Sequence, residues 1–360
     1  MYNVKIFGAG SIGNHLANAF VTNGHKVILS DIDNNALQRS RNETYINRYG
    51  SWNENIKLML SDDIFNIDSD IVFIGTPPEF HIPIAIKVLE SNPPKLILIE
   101  KPLCTPNLND LFILKELACK KGVEVCVGYN HIVSEAAKYI EKYLNIESLG
   151  VIQHISSYTR EHWGGIFKAH PWLSGPADSY LGYYAKGGGS LSEHSHGLNM
   201  WQNLSHKVGG GRIVEVNSKM DFVNNGIINY DKSVIASLTT ENGLSGDLIQ
   251  DVLTFPAHKS SKVIGTDAFA EIILSKNNSD IVNYGKLDDT HIIEKIFNKK
   301  RSDDFIWEVN HLEKIMTGEI KNLEISLERG IETMIIISAI IKSNELKRTV
   351  TINWSNHTIK

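Results

Sequence analysis

The 360-residue sequence predicts an α/β protein of two domains: a doubly wound parallel sheet, then an α+β domain on a large, mostly antiparallel open sheet. Three observations predict it. An N-terminal strand pattern ends in a glycine cluster and passes straight into a helical pattern. Strand and helix patterns then alternate up to Val127. From Val214 onward, five strand patterns, at Val214–Asp221, Ser233–Thr240, Gly246–Thr254, Ala257–Ile264 and Ala270–Leu274, follow one another with turn residues between them. The length agrees, since 360 residues exceed what one core ordinarily serves. The texture changes after Val127, so the expected domains are 1–127 and 128–360.

Composition narrows the function classes. An apolar content of 42% with 21% charged residues suits a soluble globular chain. The net charge is -5 and both signs are interspersed, so neither nucleic acid nor an anionic membrane is an expected partner. Cys104, Cys119 and Cys126 lack metal-ligand spacing and read as reduced packing thiols, and no metal is expected. The chain opens on a strand, without a basic and apolar leader or a run of ~18 apolar residues, which makes the cytoplasm the expected location.

Tyr2 to Phe7 reads as a buried strand that runs into Gly8, Ala9, Gly10, Ser11, Ile12 and Gly13, followed by a helix bearing Leu16, Ala17, Phe20 and Val21. In such a turn the first glycine permits the bend, the second lets a pyrophosphate approach the backbone, and the third lets helix pack on strand. The helix's free N–H groups and dipole hold the phosphates. A second strand, Lys26 to Ser30, ends at Asp31, near the ~20-residue offset of the acid that accepts ribose hydroxyls. A carboxylate there repels a 2′-phosphate, and the nearest arginines are Arg39 and Arg41, so NAD is expected rather than NADP. Asp31 as a plain turn or capping residue is the alternative. The strand Asp70 to Ile74 ends in Gly75, Thr76, Pro77 and Pro78, which leaves a backbone surface beside the nucleotide. His81 follows at the head of a helix, as a further cofactor contact or as a structural residue.

The strand Leu96 to Ile99 delivers Glu100, Lys101 and Pro102 to the sheet's carboxyl edge, where ligands bind in open parallel sheets. After Asn130 and His131, a helix and a strand lead to a segment dense in aromatic and hydrogen-bonding groups: Arg160 to Gly165 with Trp163, then His170, Pro171 and Trp172, then Tyr180, Tyr183 and Tyr184. Such a mixture suits a polyhydroxylated ligand, and equally an ordered loop whose rings pack on the sheet. Gly187 to Gly189 then precede a helix expected over Ser190 to Ser205. At ~100° per residue it aligns Ser192, His196, Asn199 and Asn203, with Glu193 about 60° away.

Taken together, GAGSIG at 8–13, TPPEFH at 76–81, Glu100-Lys101-Pro102, GYNH at 128–131, GGGSLSEHSHGLN at 187–199 and ENG at 241–243 resemble, in order and spacing, the glucose-fructose oxidoreductase and inositol dehydrogenase family (Gfo/Idh/MocA) across essentially the whole chain. The resemblance implies a Rossmann domain binding a nicotinamide cofactor, a sugar, cyclitol or nucleotide-sugar substrate, and dimer or tetramer contacts through the second domain's open sheet. It implies Lys101 at the substrate hydroxyl, His196 as the proton-transfer group and a cis bond before Pro102. Asn130, His131, Trp163, Tyr180, Glu193 and Asn199 complete the expected substrate site. The family's commoner pattern places one aspartate four residues before the histidine and another three after it. Here Glu193 stands three before and Asn199 three after, so a relay through the second carboxylate lacks its carboxylate.

Chemistry divides the two central roles independently. Removing a hydride and a proton from a secondary alcohol needs a base with a pKa near the working pH. Histidine, at ~6.5, fits, whereas lysine, at ~10.4, would have to shift by several units. His196 is therefore expected as acid or base, and Lys101 as the cation that polarises the reacting oxygen. Two other readings are a non-redox family member that keeps its NAD permanently, and a sugar sensor without turnover.

Overall fold

The computed structural model describes residues 1–169 and 172–360 and divides into two compact units, residues 1–130 with 302–330 and residues 131–301 with 331–360.

In the first unit the chain runs β1 (Asn3–Phe7), α1 (Ser11–Thr22), β2 (Lys26–Asp31), α2 (Asn34–Arg39), α3 (Tyr45–Tyr49), β3 (Ile56–Leu60), α4 (Ser61–Ile64), β4 (Ile71–Ile74), α5 (His81–Ser91), β5 (Leu96–Ile99), α6 (Leu111–Lys121) and β6 (Glu124–Val127). A π-helical turn, Ser40–Thr44, joins α2 to α3 without a break. The six strands pair in parallel in the order β3-β2-β1-β4-β5-β6. Strands β4 and β5, IVFI and LILI, are buried on both faces, as parallel strands covered by helices must be. The order reverses between β1 and β4, and the crevice at that switch point is where such sheets take a dinucleotide.

Residues 302–330 complete this unit. Val127 donates its N–H to the Ile325 carbonyl at 2.8 Å, and Asn23 and His25 bond Asn310 and Glu313 at 2.7 and 2.5 Å. A single boundary after residue 127 makes no provision for this return, which is fixed by side chains nearly 300 residues apart in sequence.

The second unit carries α7 (Glu135–Ile140), α8 (Ile146–Leu149), β7 (Ile152–Arg160), α9 (Trp163–Ala169), α10 (Gly189–Glu193), α11 (His196–Lys207), β8 (Ile213–Asn224), β9 (Asn229–Thr240), β10 (Ser245–Asp251), β11 (His258–Gly265), β12 (Ala268–Lys276), β13 (Ser279–Lys286) and β14 (Ile292–Asn298). After α12 (Arg301–Met316) come α13 (Leu327–Leu346), β15 (Val350–Asn353) and β16 (Thr358–Ile359). Its ten-stranded sheet has the order β14-β13-β12-β11-β7-β10-β9-β8-β15-β16. All pairs are antiparallel except β7 with β10. Seven strands follow one another from Ile213, where the sequence pattern showed five. The two missed are β13 and β14, the latter an exposed edge strand without apolar alternation. Among the described residues, no helix is long and apolar enough to cross a membrane.

Candidate functional site

The glycine turn of the first unit has the shape its sequence implies. Gly8 has φ +105°, and a Cβ there would stand 2.6 Å from the Gly75 carbonyl oxygen, so β1 and the end of β4 touch backbone to backbone. At Gly13 a Cβ would stand 2.0 Å from the Gly8 carbonyl oxygen, so only glycine lets α1 pack there. At Gly10 a Cβ would meet nothing within 4 Å. The open space lies where a pyrophosphate needs it, before an α1 whose N-terminus has no side-chain cap and no acid in its first turn. These residues therefore fit a dinucleotide. Ile12 is half-buried and Ser11 buried in the same turn.

Asp31 ends β2 with Oδ2 accepting the Ala9 N–H at 2.8 Å and Oδ1 accepting the Asp33 N–H at 3.0 Å. The carboxylate is thus locked beside the glycine turn, with lone pairs left for ribose hydroxyls. Arg41 lies on the exposed side, 3.8 Å from Glu54. Thr76 has a buried hydroxyl without a hydrogen-bond partner, beside the exposed Pro77.

His81 is fully buried. Its Nε2 lies 2.7 Å from the Thr76 carbonyl and its Nδ1 3.0 Å from the Pro102 carbonyl. Burial pushes its pKa down to about 4, so the neutral ring donates to one of these carbonyls. It staples the ends of β4 and β5, which is the structural alternative rather than a cofactor contact. Glu100 and Lys101 are half-buried just past β5, and the Lys101-Pro102 peptide is cis. Asn130 is buried with its Oδ1 unpartnered.

In the second unit, His131 and His196 stack with ring centroids 4.1 Å apart and planes 23° apart. Burial first, and then coupling to His196 and the cations Lys299, Arg301 and Lys259, hold the His131 pKa well below its ordinary value, so His131 is a neutral platform for a half-buried His196. A cavity of about 30 Å³ adjoins them, lined also by His194, Tyr158, Thr159 and Lys259. Lys259 pairs with Glu161 at 2.5 Å. Burial works to raise the Glu161 pKa, but this lysine and its cationic neighbours hold the carboxyl below its usual range. His194, Lys259 and Glu161 were not anticipated: the two halves of the ion pair lie on separate elements, and no local motif joins them.

Helix 190–205 is not continuous. It breaks at His194–Ser195, and His196 opens α11. At the break the His194 carbonyl accepts the Gly197 N–H at 2.9 Å and also Gln250 Nε2 from β10, and Ser157 Oγ from β7 donates to the Gly197 carbonyl at 2.8 Å. The break takes Ser192 off the expected stripe, while His196, Asn199 and Asn203 stay within about 60° of one another on α11. Asn199 is buried and donates to Thr333 Oγ1 at 3.2 Å, with its Oδ1 left unpartnered. Glu193 accepts the Tyr180 hydroxyl at 3.0 Å, so these two expected site residues do meet. Trp163 is buried in an apolar cluster with Leu181, Tyr230 and Val252, which is the packing alternative for the aromatic segment. His170 and Pro171 lie outside the described residues.

The glycines before α10 serve backbone approach. Gly189 has φ +80°, and a Cβ there would stand 1.9 Å from Asp231 Oδ1. Asp231, buried on β9, accepts from Ser190 Oγ at 2.6 Å and from the Leu191 N–H at 2.7 Å. Burial pushes its pKa up to about 7.

Comparison with known proteins agrees with this geometry. The family described as oxidoreductase family, NAD-binding Rossmann fold, matches residues 2–129. No curated protein sequence matches the chain. Among solved structures, an NAD binding oxidoreductase from Klebsiella pneumoniae is 17% identical with a TM-score of 0.74, over 97% of this chain and 98% of that one. A levoglucosan dehydrogenase, in complex with NADH and L-sorbose, is 16% identical with a TM-score of 0.76, over 98% of each chain. The WlbA dehydrogenase from Bordetella pertussis, in complex with NADH and UDP-GlcNAcA, is 16% identical with a TM-score of 0.72, over 98% of each chain. At these identities the likeness is one of fold.

Proposed function

From the premise that the nucleotide-binding part of the chain, residues 2–129, belongs to the oxidoreductase family with an NAD-binding Rossmann fold, we propose that the protein is an NAD-dependent dehydrogenase acting on a secondary alcohol of a sugar, cyclitol or nucleotide sugar. The open cradle at Gly10 is the observation that carries the reading. The bound dinucleotide supplies the hydride acceptor. Lys101 polarises the reacting oxygen, and His196, oriented by its stack on neutral His131, takes the hydroxyl proton. The Tyr180–Glu193 pair holds the aromatic segment to α10 and offers hydrogen bonds to further hydroxyls. The sugar class draws support from relatives of the same fold named as a levoglucosan dehydrogenase and as a dehydrogenase bound to a nucleotide sugar. The same reading has the protein assemble as a homodimer or homotetramer through the open sheet, where Ile235 is 55% exposed.

The test is a screen of sugars, cyclitols and nucleotide sugars for absorbance of the reduced nicotinamide, followed by two variants. His196→Ala should lose on the order of 10² to 10⁴ in turnover while binding NAD normally. Lys101→Ala should lose turnover yet keep an ionisation near neutrality that His196→Ala lacks. A His196→Ala enzyme with its full rate and that ionisation would remove His196 from the role.

A further inference from the structure

The stretch between β2 and β3 matches no nucleotide-binding motif, yet it grips the glycine turn. Ser40 Oγ donates to the Ala9 carbonyl at 2.8 Å. Arg48 donates twice to Ser11, the first residue of α1: to its carbonyl at 2.9 Å and to its hydroxyl at 2.8 Å. Asn14 closes the other side, with its Nδ2 at 3.0 Å from the Ala9 carbonyl and 2.8 Å from that of Gly10.

The π turn explains how two residues eight positions apart reach one loop. At ~100° per residue, Ser40 and Arg48 of a plain α-helix would point about 80° apart. One extra residue in the helix leaves seven α-steps between them, ~700°, within about 20° of two full turns. The π turn thus aligns both on the helix face that meets the loop. Arg48 also brings a permanent charge to an α1 first turn that has no acid and no side-chain cap.

We propose that Arg48 is a cofactor-positioning residue: through Ser11 it holds the phosphate-binding turn in its binding conformation, and its charge draws the dinucleotide's pyrophosphate. This rests on the NAD reading above. Preorganisation lowers the ordering cost of binding, and a cation near the phosphates makes affinity depend on salt.

Calorimetric titration of NAD, NADP and adenosine into the full-length protein, Arg48→Met and Arg48→Lys tests it, with circular dichroism and Tm recorded for each. Arg48→Met should weaken NAD and NADP equally, by about tenfold, flatten the dependence of Kd on salt and leave adenosine unchanged. Arg48→Lys should restore the salt dependence and recover affinity only in part, since one ammonium replaces the planar fork whose two nitrogens each meet a Ser11 oxygen. Unchanged NAD affinity in Arg48→Met would overturn the proposal. So would a loss confined to NADP, which would place Arg48 at the 2′-phosphate. An equal loss of adenosine with a lowered Tm would reduce Arg48 to a fold contact. Failure of the parent protein to bind NAD would instead defeat the cofactor reading, and shows before any variant is made.

Discussion

Alanine at Gly10 and at Gly13 should have opposite effects, although the two glycines share one turn. Gly10 has φ -75° and ψ -166°, which any residue adopts, and its Cβ would enter open space. Folding should therefore be unharmed, or helped by roughly 0.4–1 kcal/mol through the unfolded chain. A methyl there occupies the space where phosphate oxygens must come within about 3 Å of backbone N–H groups. Losing two charge-assisted hydrogen bonds at about 1.5–3 kcal/mol each weakens NAD by roughly 10² to 10⁴. At Gly13 the Cβ would stand 2.0 Å from the Gly8 carbonyl oxygen, and backbone must shift. That costs about 1–3 kcal/mol, or a Tm lower by on the order of 5 °C. Thermal shift with and without NAD separates the cases. Gly10→Ala should keep its Tm and lose the NAD-induced rise, whereas Gly13→Ala should start lower. A Gly10→Ala protein that binds NAD as the parent does would refute the cradle, and an unshifted Gly13→Ala Tm would refute the packing role.

Asp31 should make NAD bind at least about ten times more tightly than NADP, ~1.4 kcal/mol; Asp31→Asn should narrow that ratio, and equal affinities in the parent protein would dismiss the role. Asp231 should impose a pH dependence on stability. Burial raises its folded-state pKa to about 7, so the stability from its protonated form is fully present below the unfolded value near 4 and is lost as pH rises through about 7. The loss is at most roughly 4 kcal/mol. Asp231→Asn should flatten the stability difference across that window in urea titrations, and parallel curves for the two proteins would contradict the assignment.

What the sequence made legible is what local chemistry dictates. The GAGSIG turn, Asp31 at the end of β2 and Lys101 past β5 depend on residues adjacent in the chain, and the parallel sheet follows from repeated apolar runs. Distant partners set the rest. At the break before His196, the His194 carbonyl is met by Gln250 from a distant strand, which leaves no mark in residues 187–205. Arg48 was invisible because a π turn shifts helical phase without a composition signature. Trp163 shows the ambiguity of an aromatic-rich segment: stacking on a sugar and packing under a loop ask for the same residues, and its burial beside Tyr230 decides for packing.

The return of residues 302–330 bears on how the nucleotide-binding unit is made. The outer edge of β6 is covered by chain synthesised almost 200 residues later, through the Val127–Ile325 hydrogen bond and the Cys126–Ser326 bridge. A nascent chain halted at residue 130 would hold all six parallel strands and still present a bare, apolar strand edge, the feature that recruits other chains into aggregates. On the ribosome, the first unit begun would stay open until most of the second had been made.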